Sequence, residues 1–256
     1  MLTPAGYQCW EAIGGLNALA LLEAREKFDL IVTDLVNDGL GGIGLLERAN
    51  ERFPDIPVVL MTTVRRIGYA LEAVRNGAYD YLLKPFEREQ LLAFVRRALE
   101  YRHLKLENRA YQEKLGTLTI ATTHKPELIL VQDDEETIRE IVCSMLTLAH
   151  YECRTVASPK EVLDILRSGE EFELLFCGLL ESLEEKLFER MAEEFPDVPV
   201  VVASACHDIS LFLPALRKGA YDYLQKPFER SQLLFCLRRA LEYRRLKLEN
   251  RAYSFL

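Results

Sequence analysis

Of the 256 residues of this chain, 49% are hydrophobic and 28% are charged, a balance that is typical of folded globular proteins and excludes a disordered chain. The formal net charge of −8 gives no electrostatic reason for binding to a phosphate backbone, so we expect no nucleic-acid partner. The longest apolar runs have the length of β-strands and the N-terminus lacks the pattern of a secretion signal, so we expect no membrane partner and a cytoplasmic location.

Short apolar runs alternate with amphipathic segments along the chain. FDLIVTD (28–34) and IPVVLM (56–61) are runs of the kind that is buried on both faces of a parallel sheet, and the segments LNALALLEAREK (16–27) and IGLLERANERF (43–53) around them have helical periodicity. ELILVQ, FELLFCG and VPVVVA repeat the strand pattern in the second half. This alternation predicts an α/β doubly wound fold with a parallel sheet and helices on both faces.

The chain contains a long internal repeat. GAYDYLLKPFEREQLL (77–92) returns as GAYDYLQKPFERSQLL (219–234), an offset of 142, and FDLIVTD at Phe28 aligns with FELLFCG at Phe172, an offset of 144. A period this long predicts two tandem domains. The first copy has no counterpart of PELILVQDDEETIREIVCS (126–144), so we expect it to lack its first strand and most of its first helix.

Polar residues follow the predicted strands. In open α/β sheets, functional groups gather at the carboxyl ends of the strands. The residues expected at these ends are Asp34, Thr62, Lys84, Asp133, Asp134, Ser204 and Lys226.

In this combination the two copies resemble the response regulator receiver domains of two-component phosphorelay systems, over roughly residues 1–102 and 126–244. The resemblance implies two flavodoxin-like domains with strand order 2-1-3-4-5. It also implies an acidic pair after the first strand, a phosphoacceptor aspartate after the third, a Thr or Ser after the fourth and a Lys-Pro after the fifth. Receiver domains catalyse only their own phosphorylation and dephosphorylation, so we do not expect an enzyme in the wider sense.

The first copy matches the acceptor part of this pattern. Asp34 corresponds to the phosphoacceptor, Thr62 to the hydroxyl and Lys84 to the lysine, while Tyr81 matches the aromatic residue that such domains rotate on activation. Phosphoryl transfer depends on positioning and charge neutralisation, which a lysine and a hydroxyl provide. The acidic pair that would help to hold Mg²⁺ is absent from this copy, and Asp38 stands where the family usually has proline.

The second copy has the complementary pattern. Asp133 and Asp134 match the acidic pair, and Ser204, Lys226 and Tyr223 match the hydroxyl, the lysine and the switch aromatic. Gly178 stands at the acceptor position and has no side chain to phosphorylate, so the resemblance implies a pseudo-receiver. The alternative role for the acidic pair is helix capping.

One arrangement would unite the two halves of the pattern. If residues 126–146 folded onto the first copy, in the same chain or between two chains, Asp133 and Asp134 would join Asp34 in a Mg²⁺ site with Thr62 and Lys84. Against it, the second copy would then be left as the fragment, and the local connection costs less loop entropy.

We predict receiver domains at 1–102 and 126–244, a helical extension and linker at 103–125, and a second helical extension at 245–256. The extensions share the sequence ALEYR-x-LKLENRAY and serve either as a solvated spacer or as the contact of a homodimer. The expected function is phosphorelay signalling with a sensor histidine kinase or a phosphotransfer protein. The alternatives are a phosphorylation-independent binding or dimerisation module, or a truncated fragment of a longer regulator.

The six cysteines occur singly, without a Cys-x-x-Cys pair, and we interpret them as buried free thiols in a reducing compartment. They are Cys9, Cys143, Cys153, Cys177, Cys206 and Cys236.

Overall fold

The computed structural model describes residues 1–24, 27–36, 40–63, 76–115, 126–178, 185–205 and 213–254. Within these residues the chain forms two compact units, Met1–Ala110 and Tyr111–Leu256. Asp38 and Cys206 lie outside the described residues. No helix of the described segments is long and apolar enough to cross a membrane.

The first unit contains a three-stranded parallel sheet of order β1-β2-β3. A short 3₁₀ helix precedes its other elements. These are α1 (Gly14–Glu23), β1 (Ile31–Asp34), α2 (Gly41–Arg52), β2 (Val58–Thr62), β3 (Asp80–Leu83) and the part up to Ala110 of the long helix α3 (Arg88–Leu115). The apolar side chains of β2 and α2 form the core of this unit, since Leu46, Ala49, Val58 and Leu60 are all buried together.

The second unit contains a complete five-stranded parallel sheet. Its elements are β4 (Leu128–Gln132), α4 (Glu136–Thr147), β5 (Glu152–Val156), α5 (Pro159–Arg167), β6 (Leu174–Gly178), α6 (Glu185–Glu194), β7 (Val200–Ser204), α7 (Leu213–Arg217), β8 (Asp222–Gln225) and α8 (Arg230–Tyr253). The strand order β5-β4-β6-β7-β8 is the predicted 2-1-3-4-5 order of a flavodoxin-like domain. Every residue of β6 and β7 is buried, as the continuous apolar runs in the sequence predict.

The first unit lacks more of the fold than the sequence predicts. Besides the first strand, it has no counterpart of β5, because residues 8–12 form no strand although they align with Glu152–Val156. In the second unit β5 pairs only with β4. The aligned residues of the first unit therefore have no strand to pair with, and they follow the surface as irregular chain.

The helical extensions are fixed to the body of their units at a repeated turn. In the first unit Lys105 Nζ donates to the carbonyl oxygen of Pro54 at 3.1 Å, and Arg109 contacts Asp55 at 3.0 Å. In the second unit Lys247 donates to Pro196 at 2.9 Å, and Arg251 contacts Asp197 at 2.5 and 2.7 Å. The repeated FPD turn and the repeated LKLENRAY segment thus contact each other in both copies.

The cysteine prediction is partly wrong. Cys143 in α4 and Cys153 in β5 form a disulfide, with Cα atoms 5.7 Å apart. A separation of ten residues matches no known cysteine motif, so the sequence did not indicate this bond. The two cysteines meet because the fold packs α4 against β5. Cys177 and Cys236 are buried thiols, as predicted, whereas Cys9 is exposed.

Candidate functional site

The predicted acceptor residues of the first unit meet at the carboxyl edge of its sheet. Asp34 is the last residue of β1, Thr62 is the last residue of β2, and Lys84 follows the end of β3 directly. The parallel register places Asp34 opposite Met61 and Thr62 opposite Leu83. The Lys84 backbone N–H donates to the carbonyl oxygen of Thr62 at 2.7 Å, which fixes the start of the lysine side chain at this edge.

Lys84 and Asp34 form an ion pair in which Lys84 Nζ donates to Asp34 Oδ1. The two side chains are 32% and 40% exposed, so water reaches both groups. A pair this exposed adds only about 0–1 kcal/mol to stability. Its carboxylate is neutralised yet accessible, a combination that suits an acceptor group.

Gly42 lets the helix α2 start against the backbone of Asp34. A Cβ atom on Gly42 would lie 2.1 Å from the Asp34 carbonyl oxygen, which no side chain can do without moving the strand end. The Gly42 N–H donates to the carbonyl oxygen of Leu35 at 3.1 Å. A glycine at this position therefore holds the loop after β1 close to the acceptor.

The second unit fills the same position with a different ion pair. Lys226 Nζ lies 2.5 Å from Asp133 Oδ2, and the two side chains are 14% and 1% exposed. Gly178 ends β6 as Asp34 ends β1, and a Cβ atom on Gly178 would lie 2.0 Å from Asp133 Oδ2. The Asp133 carboxylate therefore occupies the space that an acceptor side chain at position 178 would need.

Both carboxylate oxygens of Asp133 have partners. Oδ2 accepts from Lys226, and Oδ1 accepts from the Glu135 backbone N–H at 3.1 Å, at the N-terminal end of α4. Arg139 donates to the carbonyl oxygens of Asp133 at 2.7 Å and of Asp134 at 3.0 Å, and Asp134 is exposed. Helix capping, the alternative role for this pair, is not observed at Asp133, because the N-cap residue of α4 is Glu135 and the helix has no side-chain cap hydrogen bond.

Two buried features of the site have no sequence motif. Cys177 Sγ lies 2.9 Å from Gln132 Oε1, in the residues that directly precede Gly178 and Asp133, and both are buried. Arg97 contacts Asp80 at 3.0 Å in the first unit, and Arg239 contacts Asp222 in the second, each pair being buried. In the sequence, only the recurrence of this Asp and this Arg in both copies could have indicated the buried ion pairs.

The buried Asp–Arg pairs hold the strands that carry the predicted switch aromatics. The Tyr81 N–H donates to Asp80 Oδ1 at 2.8 Å, and the Tyr223 N–H donates to Asp222 Oδ1 at 2.8 Å. Tyr81 packs partly buried against the core of the first unit. Ser204 occupies the end of β7 as Thr62 occupies the end of β2, and both residues are buried.

The residues proposed as Mg²⁺ ligands belong to different units. Asp34 lies in the first unit, and β4, which Asp133 and Asp134 follow, pairs with β5 and β6 of its own sheet, so the alternative in which this segment folds onto the first copy is not the arrangement in this structure. The described residues contain no group of three or more His, Cys, Asp or Glu side chains that could hold a metal ion. Mg²⁺ is commonly held by one or two carboxylates together with phosphate oxygens and water, and the carboxylates nearest to such a role, Asp34 and Asp133, each contact a lysine in this structure.

A comparison with known proteins finds a family model that matches both copies of the repeat. The family model described as response regulator receiver domain matches residues 1–96 and 129–238. The chain is 42% identical over 124 residues to the C4-dicarboxylate transport transcriptional regulatory protein DctD of Pseudomonas aeruginosa, covering 45% of this chain and 25% of that protein. It is 34% identical over 100 residues to the DNA-binding transcriptional regulator NtrC of Salmonella typhimurium, covering 39% and 21%.

Among solved structures, NtrX from Brucella abortus in complex with ADP is similar, with 32% identity and a TM-score of 0.46. The match covers 49% of this chain and 28% of that one. The chain thus spans about a quarter of the length of the curated relatives named above.

Proposed function

The chain belongs to the response regulator receiver domain family, and from this premise we propose that it carries phosphorelay signals through Asp34 of the first unit. The observation that supports this proposal is the contact between Lys84 and an accessible Asp34 carboxylate, beside Thr62 at the end of the next strand. The second unit has an equivalent lysine and an equivalent hydroxyl, but a glycine in place of the acceptor.

The proposed chemistry is phosphoryl transfer to a carboxylate. An Asp34 carboxylate oxygen forms a bond to phosphorus, while the bond from phosphorus to the donor, such as the histidine nitrogen of a kinase, breaks and leaves its electron pair on the donor. The Lys84 ammonium neutralises charge on the phosphoryl oxygens, and the Thr62 hydroxyl donates a hydrogen bond to one of them. Receiver domains generally bind Mg²⁺ for this reaction, and Asp34 is the carboxylate of the first site that would ligate the ion, which would neutralise further charge on the phosphoryl group.

We propose that the second unit is a pseudo-receiver that acts by binding alone. The ion pair between Lys226 and Asp133 neutralises both groups without a phosphoryl group, and Gly178 offers no acceptor oxygen. The surface around Tyr223 and Lys226 is therefore present without phosphorylation. This module is the second candidate function, and it would operate whether or not Asp34 is phosphorylated.

The partners follow from the family. A sensor histidine kinase or a phosphotransfer protein is the proposed phosphodonor, and a homodimer through the helical extensions is proposed as well. The predicted absence of nucleic acid has no support, because a relative is named as a DNA-binding regulator.

The cytoplasmic location stays a prediction, which the disulfide between Cys143 and Cys153 does not favour. The domain limits at 1–102, 103–125, 126–244 and 245–256 are likewise proposals.

The test is phosphoryl uptake from acetyl phosphate with Mg²⁺, measured by intact mass on the full chain. We expect a hydroxylamine-labile phosphoryl group in the wild type and in Asp29→Asn, a matched control at an exposed aspartate that contacts Arg102. Asp34→Asn should take up none. Equal uptake by Asp34→Asn, or no uptake by a folded wild type, would contradict the proposal.

A further inference from the structure

The disulfide of the second unit joins the helix α4 to the edge strand β5. Cys143 lies in α4 and Cys153 in β5, and among the described residues β5 pairs with β4 alone. On the same helix, Val142 and Leu146 are completely buried in the core of the unit. Because these core contacts do not involve the sulfur atoms, we expect α4 to stay in place when the bond is reduced.

The two bonded cysteines are half-buried, so a small thiol can approach them in the folded protein. Thiol–disulfide exchange requires that an attacking thiolate reaches a sulfur atom of the bond. By contrast, the thiols of Cys177 and Cys236 lie in residues that are only 2% and 3% exposed. Their positions therefore favour exchange at the bonded pair and not at these two buried thiols.

The chain between the bonded cysteines makes a tight turn from α4 into β5. The N–H groups of Ala149 and Tyr151 donate to the carbonyl oxygen of Leu146 at 2.8 and 3.1 Å. His150 has a φ of 67°, a left-handed conformation that is uncommon for residues other than glycine. The disulfide joins the two sides of this turn, so it helps to hold a backbone conformation that an unrestricted chain seldom adopts.

Tyr151 connects this turn to α8, the last helix of the unit. Its ring packs half-buried against the core, and Arg238 of α8 forms a hydrogen bond with its hydroxyl. Burial raises the pKa of Tyr151 and the charge of Glu127 raises it further, whereas Arg238 lowers it. Arg238 directly precedes Arg239, which forms the buried ion pair with Asp222 at the start of β8. A change in the turn therefore reaches α8 through the side chain of Tyr151.

We propose that Cys143 and Cys153 form a reversible thiol–disulfide switch, which exchanges with a low-molecular-weight thiol and its disulfide and thereby sets the packing of residues 148–152 against α8. In reducing compartments protein disulfides are rare, and those that form are usually transient, catalytic or redox-sensing. The structure shows the oxidised form. The switch needs neither Asp34 nor a phosphoryl group, so it goes beyond the proposed function and stands independently of it.

The exchange balances with glutathione as the reagent. In oxidation, the thiolate of one cysteine attacks a sulfur of glutathione disulfide and releases one glutathione thiolate. The thiolate of the other cysteine then attacks the protein sulfur of this mixed disulfide, forms the bond between Cys143 and Cys153 and releases the second glutathione. Two electrons pass from the cysteines to glutathione disulfide, and the two thiol protons end on the released thiols. Excess reduced glutathione drives the same steps backwards.

The first experiment follows the cysteines of the folded, full chain. The protein is equilibrated at different ratios of reduced glutathione to glutathione disulfide and quenched with acid. It is then alkylated under denaturing conditions before and after reduction, with two isotopic forms of one reagent, so that peptide mass spectrometry gives the oxidised fraction of each cysteine. We expect Cys143 and Cys153 to change together and reversibly, and Cys177 and Cys236 to stay reduced. Cys9→Ser, which removes an exposed thiol, should respond like the wild type.

The second experiment measures the effect on the turn and on α8. Hydrogen exchange with mass spectrometry compares the wild type in excess reduced glutathione and in glutathione disulfide. Reduction should lower the protection of residues 148–152 by at least about tenfold, because the bond no longer restricts the turn. Peptides around Arg238 should lose protection as well, though by less. In Tyr151→Phe, which keeps the bond and removes the hydroxyl, exchange around Arg238 should no longer depend on the redox state.

Both redox states are states of the wild type, so no substitution has to fold for the proposal to be decided. If Cys143 and Cys153 stay oxidised in the folded chain under excess reduced glutathione, the bond is a permanent structural link and the switch is refuted. Two thiols or two mixed disulfides under excess glutathione disulfide would refute it as well, because the pair would not close. Exchange without a change of protection at residues 148–152 would contradict the effect on packing. Phosphoryl uptake on Asp34 is measured separately and bears on none of these outcomes.

Discussion

Lys226 donates to Asp133 in the second unit at 2.5 Å, whereas the equivalent lysine of the first unit, Lys84, donates to Asp34. The two lysines follow the same strand of the repeat but contact carboxylates from different strands. In the first unit the partner is the residue at the acceptor position, and in the second it is Asp133, directly after β4, a strand without a counterpart in the first unit. Lys84 thus balances the charge of an accessible carboxylate, whereas Lys226 forms a buried ion pair at the position where the acceptor would lie.

The burial of these two ion pairs predicts different costs for losing the lysine. Lys226→Met leaves the Asp133 carboxylate buried at 1% exposure without its countercharge, and we expect a loss of about 3–5 kcal/mol in the free energy of unfolding. The matched variant Lys84→Met removes a pair whose side chains are 32% and 40% exposed and should cost about 0–1 kcal/mol. Urea unfolding with hydrogen exchange and mass spectrometry reads each unit separately. Equal costs would contradict the difference in burial.

The close approach of Asp133 to Gly178 predicts coupling between these two positions. Gly178→Ala places a Cβ atom on the carboxylate oxygen and should destabilise the second unit, since the oxygen is held by Lys226. In an Asp133→Ala background the same substitution should cost less, with a coupling free energy of about 0.5–3 kcal/mol. A double-mutant cycle of urea unfolding measures this difference. Additive costs would show that the carboxylate does not occupy the acceptor's space.

The hydrogen bond between Ser158 and Glu161 at the start of α5 predicts a lowered pKa for Glu161. The Ser158 hydroxyl donates to Glu161 Oε1 at 2.6 Å, and chiefly this bond holds the pKa of Glu161 below its ordinary value. Because the pKa is lowered by folding, the stabilisation is present above the pKa of the unfolded chain and is lost as the pH falls through the folded pKa. Ser158→Ala should raise the pKa of Glu161 in an NMR titration.

The control for this titration is Ser168→Ala. Ser168 lies at the other end of α5, where its hydroxyl donates to the carbonyl oxygen of Ile165 at 2.7 Å. This substitution should leave the pKa of Glu161 unchanged. A pKa that does not respond to Ser158→Ala would refute the assigned cause.

The disulfide between Cys143 and Cys153 predicts a response to reductant. The bond closes a loop with a sequence separation of 10, and a closed loop of this size adds roughly 2–3 kcal/mol by restricting the unfolded chain. Dithiothreitol should lower the urea midpoint of the second unit in the wild type and should not affect Cys143→Ser. In the unreduced, denatured chain the thiol count should not exceed four, the six cysteines less these two. Six reactive thiols would contradict the bond.

The sequence predicted the acceptor edge because parallel strands end at one edge of the sheet. Asp34, Thr62 and Lys84 follow or end apolar runs, so the alternation of strands and helices alone brings them together. The five-strand order of the second unit followed from the resemblance of the repeat. The glycine at position 178 was visible in the alignment of the two copies.

Other features depend on three-dimensional contacts that a linear pattern does not contain. The ion pair between Lys226 and Asp133 joins residues 93 positions apart, and it forms because Gly178 leaves space for the carboxylate. The irregular path of residues 8–12 follows from the absence of a neighbouring strand, although their sequence resembles that of β5. The disulfide required the packing of α4 against β5, which cysteine spacing does not indicate.

Chemical trapping of the phosphoryl group shows whether the phosphoacceptor lies in the first unit alone. Sodium borohydride reduces an aspartyl phosphate to homoserine, so treatment after incubation with acetyl phosphate marks the acceptor for proteolysis and mass spectrometry. We expect homoserine at position 34 and none in residues 126–254. Homoserine at Asp133 or Asp134, or its absence from position 34 in a chain that has taken up phosphate, would contradict it.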